Sequence, residues 1–139
     1  MKGAEATCFS MVSNKGFLLD TQVFIWWMEK NPRLSNELFK LLNDPQDQIF
    51  LSVASVWEMV IKKGKKKLKS PKDIEGGVKA SGFSTLHIEI LHVLGVEKLP
   101  SYHKDPFDRI LIAQAKIENL TLITSDQKIW KYNIDILKC

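Results

Sequence analysis

Short runs that are apolar at every position alternate along this chain with stretches whose apolar residues recur at helical spacing. Residues 16–20, Gly-Phe-Leu-Leu-Asp, read as a short buried strand that ends in an acid. Residues 21–29 are apolar enough for a helix, which Pro32 stops soon after. Ser35 is placed to cap a second helix with Leu38, Leu41 and Leu42 on one face, and Asn43-Asp44-Pro45 breaks it. Residues 48–51 predict a second strand, and Ser52 caps a helix running to Lys63, with Gly64 at its end. A basic loop over residues 65–71 leads to a short helix over 73–80, closed by Gly82. A weak strand over 83–86 and a short helix over 88–94 follow. After a polar loop, Pro106 occupies the first position of a strong helix that runs to Glu118. Residues 120–124 predict a strand, 126–130 a helical turn and 134–137 a last strand.

Strands therefore alternate with helices. Phe17-Leu18-Leu19 and Leu120-Thr121-Leu122-Ile123 are apolar throughout, as in strands covered on both faces. That pattern predicts an α/β fold with a parallel sheet and helices on each side. Residues 1–15 lack periodicity and read as a flexible leader or extension, with the globular domain expected over residues 16–139. A length of 139 residues leaves no room for two domains of ordinary size.

Composition changes the picture only by exclusion. Hydrophobic residues at 45% and charged residues at 26% describe an ordinary globular chain and argue against disorder. The net charge of +4 permits a polyanionic partner without demanding one. Cys8 and Cys139 build neither a disulfide framework nor a zinc site, which predicts a reducing cytoplasm. No apolar run reaches the roughly 18 residues that a membrane span needs.

The candidate chemistry lies in four acids. In an open parallel sheet the site lies beyond the carboxyl ends of the strands. Asp20 and Asp126 each follow a strand, Asp108 opens the helix after the polar loop, and Glu58 sits inside the helix after the second strand. Each also has a structural reading. Asp20 and Asp126 can cap or turn the chain, and Asp105 can cap the helix that holds Asp108, with Asp108 as reciprocal partner. Glu58 lies among Val53, Ala54, Val56, Trp57, Met59, Val60 and Ile61, in a helix apolar almost all round. A carboxylate buried there is costly unless it is paired, with Lys62 one turn on, or binds a cation. Converging carboxylates raise one another's pKa, and a divalent cation removes that penalty. Oxygen donors without paired His or Cys select Mg²⁺ or Mn²⁺ over zinc. Such a cluster suits hydrolysis of phosphodiesters through a metal-bound water.

Three segments extend this reading. Leu18-Leu19-Asp20-Thr21 comes first, and Ser52-Val53-Ala54-Ser55-Val56-Trp57-Glu58 second. The third is Asp105-Pro106-Phe107-Asp108-Arg109-Ile110-Leu111-Ile112-Ala113-Gln114-Ala115, followed by Leu120-Thr121-Leu122-Ile123-Thr124-Ser125-Asp126. In order and spacing they resemble the PIN domain, and more narrowly the VapC-type toxins of type II toxin–antitoxin systems. The resemblance spans residues 16–137 and is most specific at Asp-Pro-Phe-Asp-Arg. It implies a three-layer α/β/α sandwich with a central, mostly parallel sheet. It also implies a metal-dependent endoribonuclease that leaves 5′-phosphate and 3′-hydroxyl ends. By position, Asp20, Glu58 and Asp108 match the family's acidic triad, and Asp126 its fourth, more variable acid. Thr21 and Thr124 or Ser125 match supporting hydroxyl positions. The family further implies a homodimer, and a VapB-like antitoxin whose tail enters the groove. Promoter DNA would be bound through the complex of toxin and antitoxin. Departures are Gln22, where this subgroup commonly has His, the lysine-rich stretch 62–69, and residues 1–15, which have no counterpart. None touches the four acids.

Other residues carry competing readings. Lys62, Lys63, Lys65, Lys66 and Lys67, with Lys69 and Lys72, either hold an RNA backbone or form a solvated helix end. Arg109 either braces a carboxylate or contacts phosphate. Trp26 and Trp27 predict core or dimer packing, and Trp57 core. His87, His92 and His103 lack metal spacing; His103, in the loop before the acidic helix, either approaches substrate or is simply exposed, and exposure alone accounts for it. A phosphatase of the haloacid-dehalogenase type wants a second Asp two residues after Asp20, where Gln22 stands. A non-catalytic module that binds nucleic acid or an antitoxin remains the other alternative.

Overall fold

A computed structural model describes residues 16–64 and 73–139. Five strands form one sheet: β1 (Phe17–Leu19), β2 (Ile49–Ser52), β3 (Ser84–Leu86), β4 (Thr121–Thr124) and β5 (Ile136–Lys138). Their spatial order is β3-β2-β1-β4-β5, and every neighbouring pair is parallel. The helices are α1 (Thr21–Glu29), α2 (Asn36–Asn43), α3 (Val53–Gly64), α4 (Ile74–Ser81), α5 (Ile90–Glu97) and α6 (Pro106–Ile117). A 3-10 turn, Ile129–Lys131, precedes β5.

The all-apolar strands have the predicted cause. Phe17 and Leu19 of β1 pack with Val23, Phe24, Ile25, Leu38, Leu42, Met59 and Ile74 on one side of the sheet. Leu18 points to the other side, where Leu122, Leu111, Ile112, Ala115 and Ile129 lie. Alternate residues of β1 thus enter two cores, so none of its three positions is left for a polar side chain. The result is the expected three-layer sandwich. Within α3, Met59 serves one core and Ala54 the other.

Local signals set most boundaries. The Asp20 side chain accepts from the Val23 amide and starts α1, and Lys30, at φ 54°, ends it. Ser35 caps α2 through the Leu38 amide. Ser52 Oγ accepts from the Ala54 amide at the start of α3. Asp73 caps α4, and Gly82, at φ 70°, closes it. Two elements are displaced from the prediction. The helix expected over 88–94 runs over Ile90–Glu97, because the Glu89 amide donates to His92 Nδ1 and sets the start there. The last strand is Ile136–Lys138, where Leu122 pairs with Ile136. Trp57 is a correction: it is 57% exposed, not core. With Val53 and Val60 it forms an exposed stripe on a helix that the composition suggests is buried all round. Trp27 is packed as expected, its ring against Phe24 and Phe83. The basic loop and Lys65, Lys66, Lys67, Lys69 and Lys72 lie outside the described residues, as does the segment 1–15.

Candidate active site

The chain leaves β1 for β2 on one side and returns to β4 on the other, so the strand order reverses beside β1. Loops diverge at such a point and leave a crevice at the carboxyl ends of the strands. Asp20 follows β1 there, and Thr124, Ser125 and Asp126 end and follow β4. Glu58 arrives on the second turn of α3, and Asp105 and Asp108 on the first turn of α6. Asp20, Thr21, Gln22, Ile25, Glu58, Lys62, Asp105, Asp108, Ser125 and Asp126 line one cleft of 340 Å³. All four predicted acids are therefore brought together, from four separate chain segments.

Each acid has a hydrogen-bond partner in the protein. Asp20 is buried; its Oδ1 accepts from the Val23 amide at 2.8 Å and its Oδ2 from the Thr124 hydroxyl. The cap reading and the site reading thus coexist in one carboxylate with two oxygens. Glu58 is buried too, with Oε1 accepting from the Thr21 hydroxyl at 2.6 Å and Oε2 from the Lys62 ammonium. Ser55 Oγ lies 3.0 Å from the same threonine oxygen. Asp126 Oδ1 accepts from the Lys128 amide at 2.9 Å, and the Asp126 amide donates to Thr124 Oγ1 at 3.0 Å. Asp108 Oδ2 is 3.3 Å from His103 Nε2. Asp105 is the expected cap of α6, accepting from the Phe107 and Asp108 amides, and it also lines the cleft. Asp108 is thus not spent on capping.

Crowding shows in the proton affinities. Burial, then the charges of Asp105, Glu58, Asp126 and Asp20, push Asp108 up to about 8. Burial pushes Asp20 up to about 6 against its bonds to Thr124 and Val23. Burial works to lower the Lys62 pKa, but the hydrogen bond and charge of Glu58, with Asp105 and Asp108, raise it. Lys62 therefore stays charged and is a cation inside the cluster, the partner expected for Glu58 from its place one turn on. The donors are carboxylate and hydroxyl oxygens, the set that suits a hard divalent cation. The rise at Asp108 and Asp20, from burial first and neighbouring carboxylates second, is the penalty that such a cation relieves. Among the described residues, no three His, Cys, Asp or Glu side chains stand together closely enough to hold a metal ion in this arrangement. Protein groups hold these acids instead: Val23 and Thr124 for Asp20, Thr21 and Lys62 for Glu58.

The supporting residues divide. Thr21 and Thr124 bond to Glu58 and Asp20, and Ser125 lines the cleft. Arg109 is a correction. Its guanidinium donates to the carbonyls of Pro100, His103, Val96 and Leu99 and to the Tyr132 hydroxyl, and to no carboxylate among the described residues. It ties down the chain before α6 through the donors of its planar fork. His103 is a second correction: its side chain is 8% exposed and bonded at both ring nitrogens. No sequence period signals that pairing, because Tyr132 lies 29 residues away. Of the predicted basic residues, Lys62 faces the cleft and Lys63 is exposed at the end of α3.

Comparison with known proteins agrees with this geometry. The chain shares its fold with VapBC2 from Rickettsia felis bound to a DNA fragment from their promoter. That match has 17% identity over 88% of this chain and 97% of that one, with a TM-score of 0.66. DNA-bound VapBC from Salmonella typhimurium matches with 18% identity over 89% and 98% of the two chains, also at 0.66. FitAcB from Neisseria gonorrhoeae matches with 19% identity over 88% and 96%, at 0.64. No curated protein matches the sequence. A family model, PIN domain, matches residues 17–134, which include every acid of the cleft. An acid-lined crevice at the switch point of this parallel sheet and that match have one explanation: the chain belongs to the PIN domain family.

Proposed function

We propose that this chain is a divalent-cation-dependent endoribonuclease, the toxin of a type II toxin–antitoxin pair. The observation that carries the reading is the meeting of Asp20, Glu58, Asp108 and Asp126 in one cleft, with Asp108 pushed up to about 8 by burial and its neighbours. These four residues would hold Mg²⁺ or Mn²⁺. When bound, the ion supplies the charge that activates water against a phosphodiester and steadies the departing oxygen. The chain's own part is positional. Thr124 and the Val23 amide restrain both oxygens of Asp20, and Thr21 restrains Glu58 Oε1, so each acid is held in orientation by its own partners. Lys62 and Lys63 would meet the RNA backbone, joined by Lys65, Lys66 and Lys67, through contacts that carry no base specificity.

The similar VapBC and FitAcB structures support a small VapB-like antitoxin as partner, with promoter DNA reached only through that complex. A second copy of the chain would cover α5. Its Ile90, Leu91, Val93 and Leu94 are more than half exposed, a denser apolar surface than Trp26 and Trp27 of α1 present.

The test is cleavage of total cellular RNA with Mg²⁺, with Mn²⁺ and with EDTA, mapping fragment ends. Discrete metal-dependent cuts with 5′-phosphate ends are expected, and loss of them in Asp108→Asn with the fold intact by circular dichroism. Wild-type cleavage by folded Asp108→Asn or Glu58→Gln would overturn the acid-cluster mechanism. The alternative, a non-catalytic module for nucleic acid or antitoxin, draws on the acids' engagement with protein donors. It predicts binding that survives loss of the acids, and no cleavage.

A further inference from the structure

A chain of polar contacts runs behind Asp108, outside the cleft. Tyr132 is buried, so its hydroxyl proton needs an acceptor. The hydroxyl oxygen accepts from Arg109 Nη1 at 3.1 Å. The same Arg109 nitrogen donates to the Pro100 carbonyl at 2.8 Å and the His103 carbonyl at 3.2 Å, which fixes the guanidinium and the loop together. The acceptor within reach of the Tyr132 proton is His103 Nδ1, at 2.9 Å. A neutral imidazole whose Nδ1 accepts carries its proton on Nε2. Nε2 stands 3.3 Å from Asp108 Oδ2.

We propose that Arg109 and Tyr132 hold His103 in its Nε2–H form, so that His103 donates to Asp108 Oδ2 and leaves the other carboxylate oxygen for the cleft. The inference rests on the acid-cluster reading and adds three positioning residues to it. None of the three lines the cleft. It also gives Arg109 a part in the site, three hydrogen bonds removed from the carboxylate. Residues that orient a metal-binding carboxylate from behind are worth about 10–100-fold in affinity or activity.

The experiment uses the full chain. Long-range proton–nitrogen NMR of the metal-free protein reads the His103 tautomer directly. The expected pattern is a protonated Nε2 and an accepting Nδ1 in wild type, shifting to a mixture in Tyr132→Phe. Calorimetry with Mn²⁺ then reads the carboxylate. Affinity should fall several-fold in Tyr132→Phe and about tenfold in His103→Leu. His103→Gln, whose amide N–H reaches the place of Nε2, should recover most of it. On RNA, kcat should fall in the same order with KM unchanged. A protonated Nδ1 in the wild type would overturn the proposal. So would wild-type Mn²⁺ affinity in folded Tyr132→Phe and His103→Leu. If wild type neither binds Mn²⁺ nor cleaves RNA, the acid-cluster reading fails, and the tautomer still decides the relay.

Discussion

Asp108 and Asp20 hold their protons more tightly in the folded protein than the ordinary value of 3.8, at about 8 and about 6. The folded state therefore binds more protons than the unfolded state between those limits. Stability from these groups is full below about pH 4 and declines as pH rises, through about 6 for Asp20 and about 8 for Asp108. Thermal unfolding of the metal-free protein should accordingly show Tm falling from mildly acid to mildly alkaline pH. Asp108→Asn should flatten the upper part of that curve, and Mg²⁺ should raise Tm most at the alkaline end. A Tm that rose across this range would contradict the assignment. Lys62 allows a second test. Its ammonium holds one oxygen of a buried Glu58, so Lys62→Met leaves that oxygen without its cation. Urea unfolding should show a loss of about 1–3 kcal/mol without metal, and Mg²⁺ should restore more stability than it adds to wild type.

At the scale of elements, the chain obeys its caps. Asp20, Ser35, Asp73 and Asp105 start α1, α2, α4 and α6 where their neighbours in sequence predict. Gly82 ends α4 in the left-handed region, at φ 70°, with open space around the position of a Cβ. Gly82→Ala meets no neighbour, so its cost is backbone conformation alone, about 1–2 kcal/mol. A lowered urea midpoint with unchanged RNA cleavage is the expected outcome. The element least legible in sequence is α5. Its start depends on His92, buried and bonded to the Glu89 amide and to Glu118 Oε2, in a place where Glu or Gln is the usual signal. His92 also meets Gln114, which accepts from Ser52 Oγ at 2.6 Å and so ties α5 and α6 to the end of β2. These contacts span 22 to 62 residues, beyond the reach of any local pattern.

At the scale of the whole molecule, α5 carries the largest group of exposed apolar side chains among the described residues. Gly95 lets it lie close on α6, where a Cβ would come within 2.9 Å of Ile117 Cδ1. Its outer residues are left to solvent, with Ile90 78% and Leu91 67% exposed. A homodimer through this face predicts that Leu91→Glu with Leu94→Glu gives monomers by light scattering while the fold survives. If the doubly substituted chain stayed dimeric, the interface would lie elsewhere. Among the described residues no helix is long and apolar enough to cross a membrane.

Alternation of buried strands and capped helices, the parallel sheet, and four acids beyond its strand ends all follow from the sequence by itself. They rest on signals carried by adjacent residues: an apolar run, a cap, a proline at a first turn. Lys62 was legible as the partner of Glu58 for the same reason, since four residues on a helix make one turn. Only the tertiary structure decided which hydroxyl holds which acid, with Thr124 and Asp20 104 residues apart. It turned Arg109 from the acids to backbone carbonyls, buried His103 between Tyr132 and Asp108, and left Trp57 in solvent. Those outcomes depend on how loops and helices meet in space, and helical or strand periodicity records which face of an element is apolar but not what that face will find.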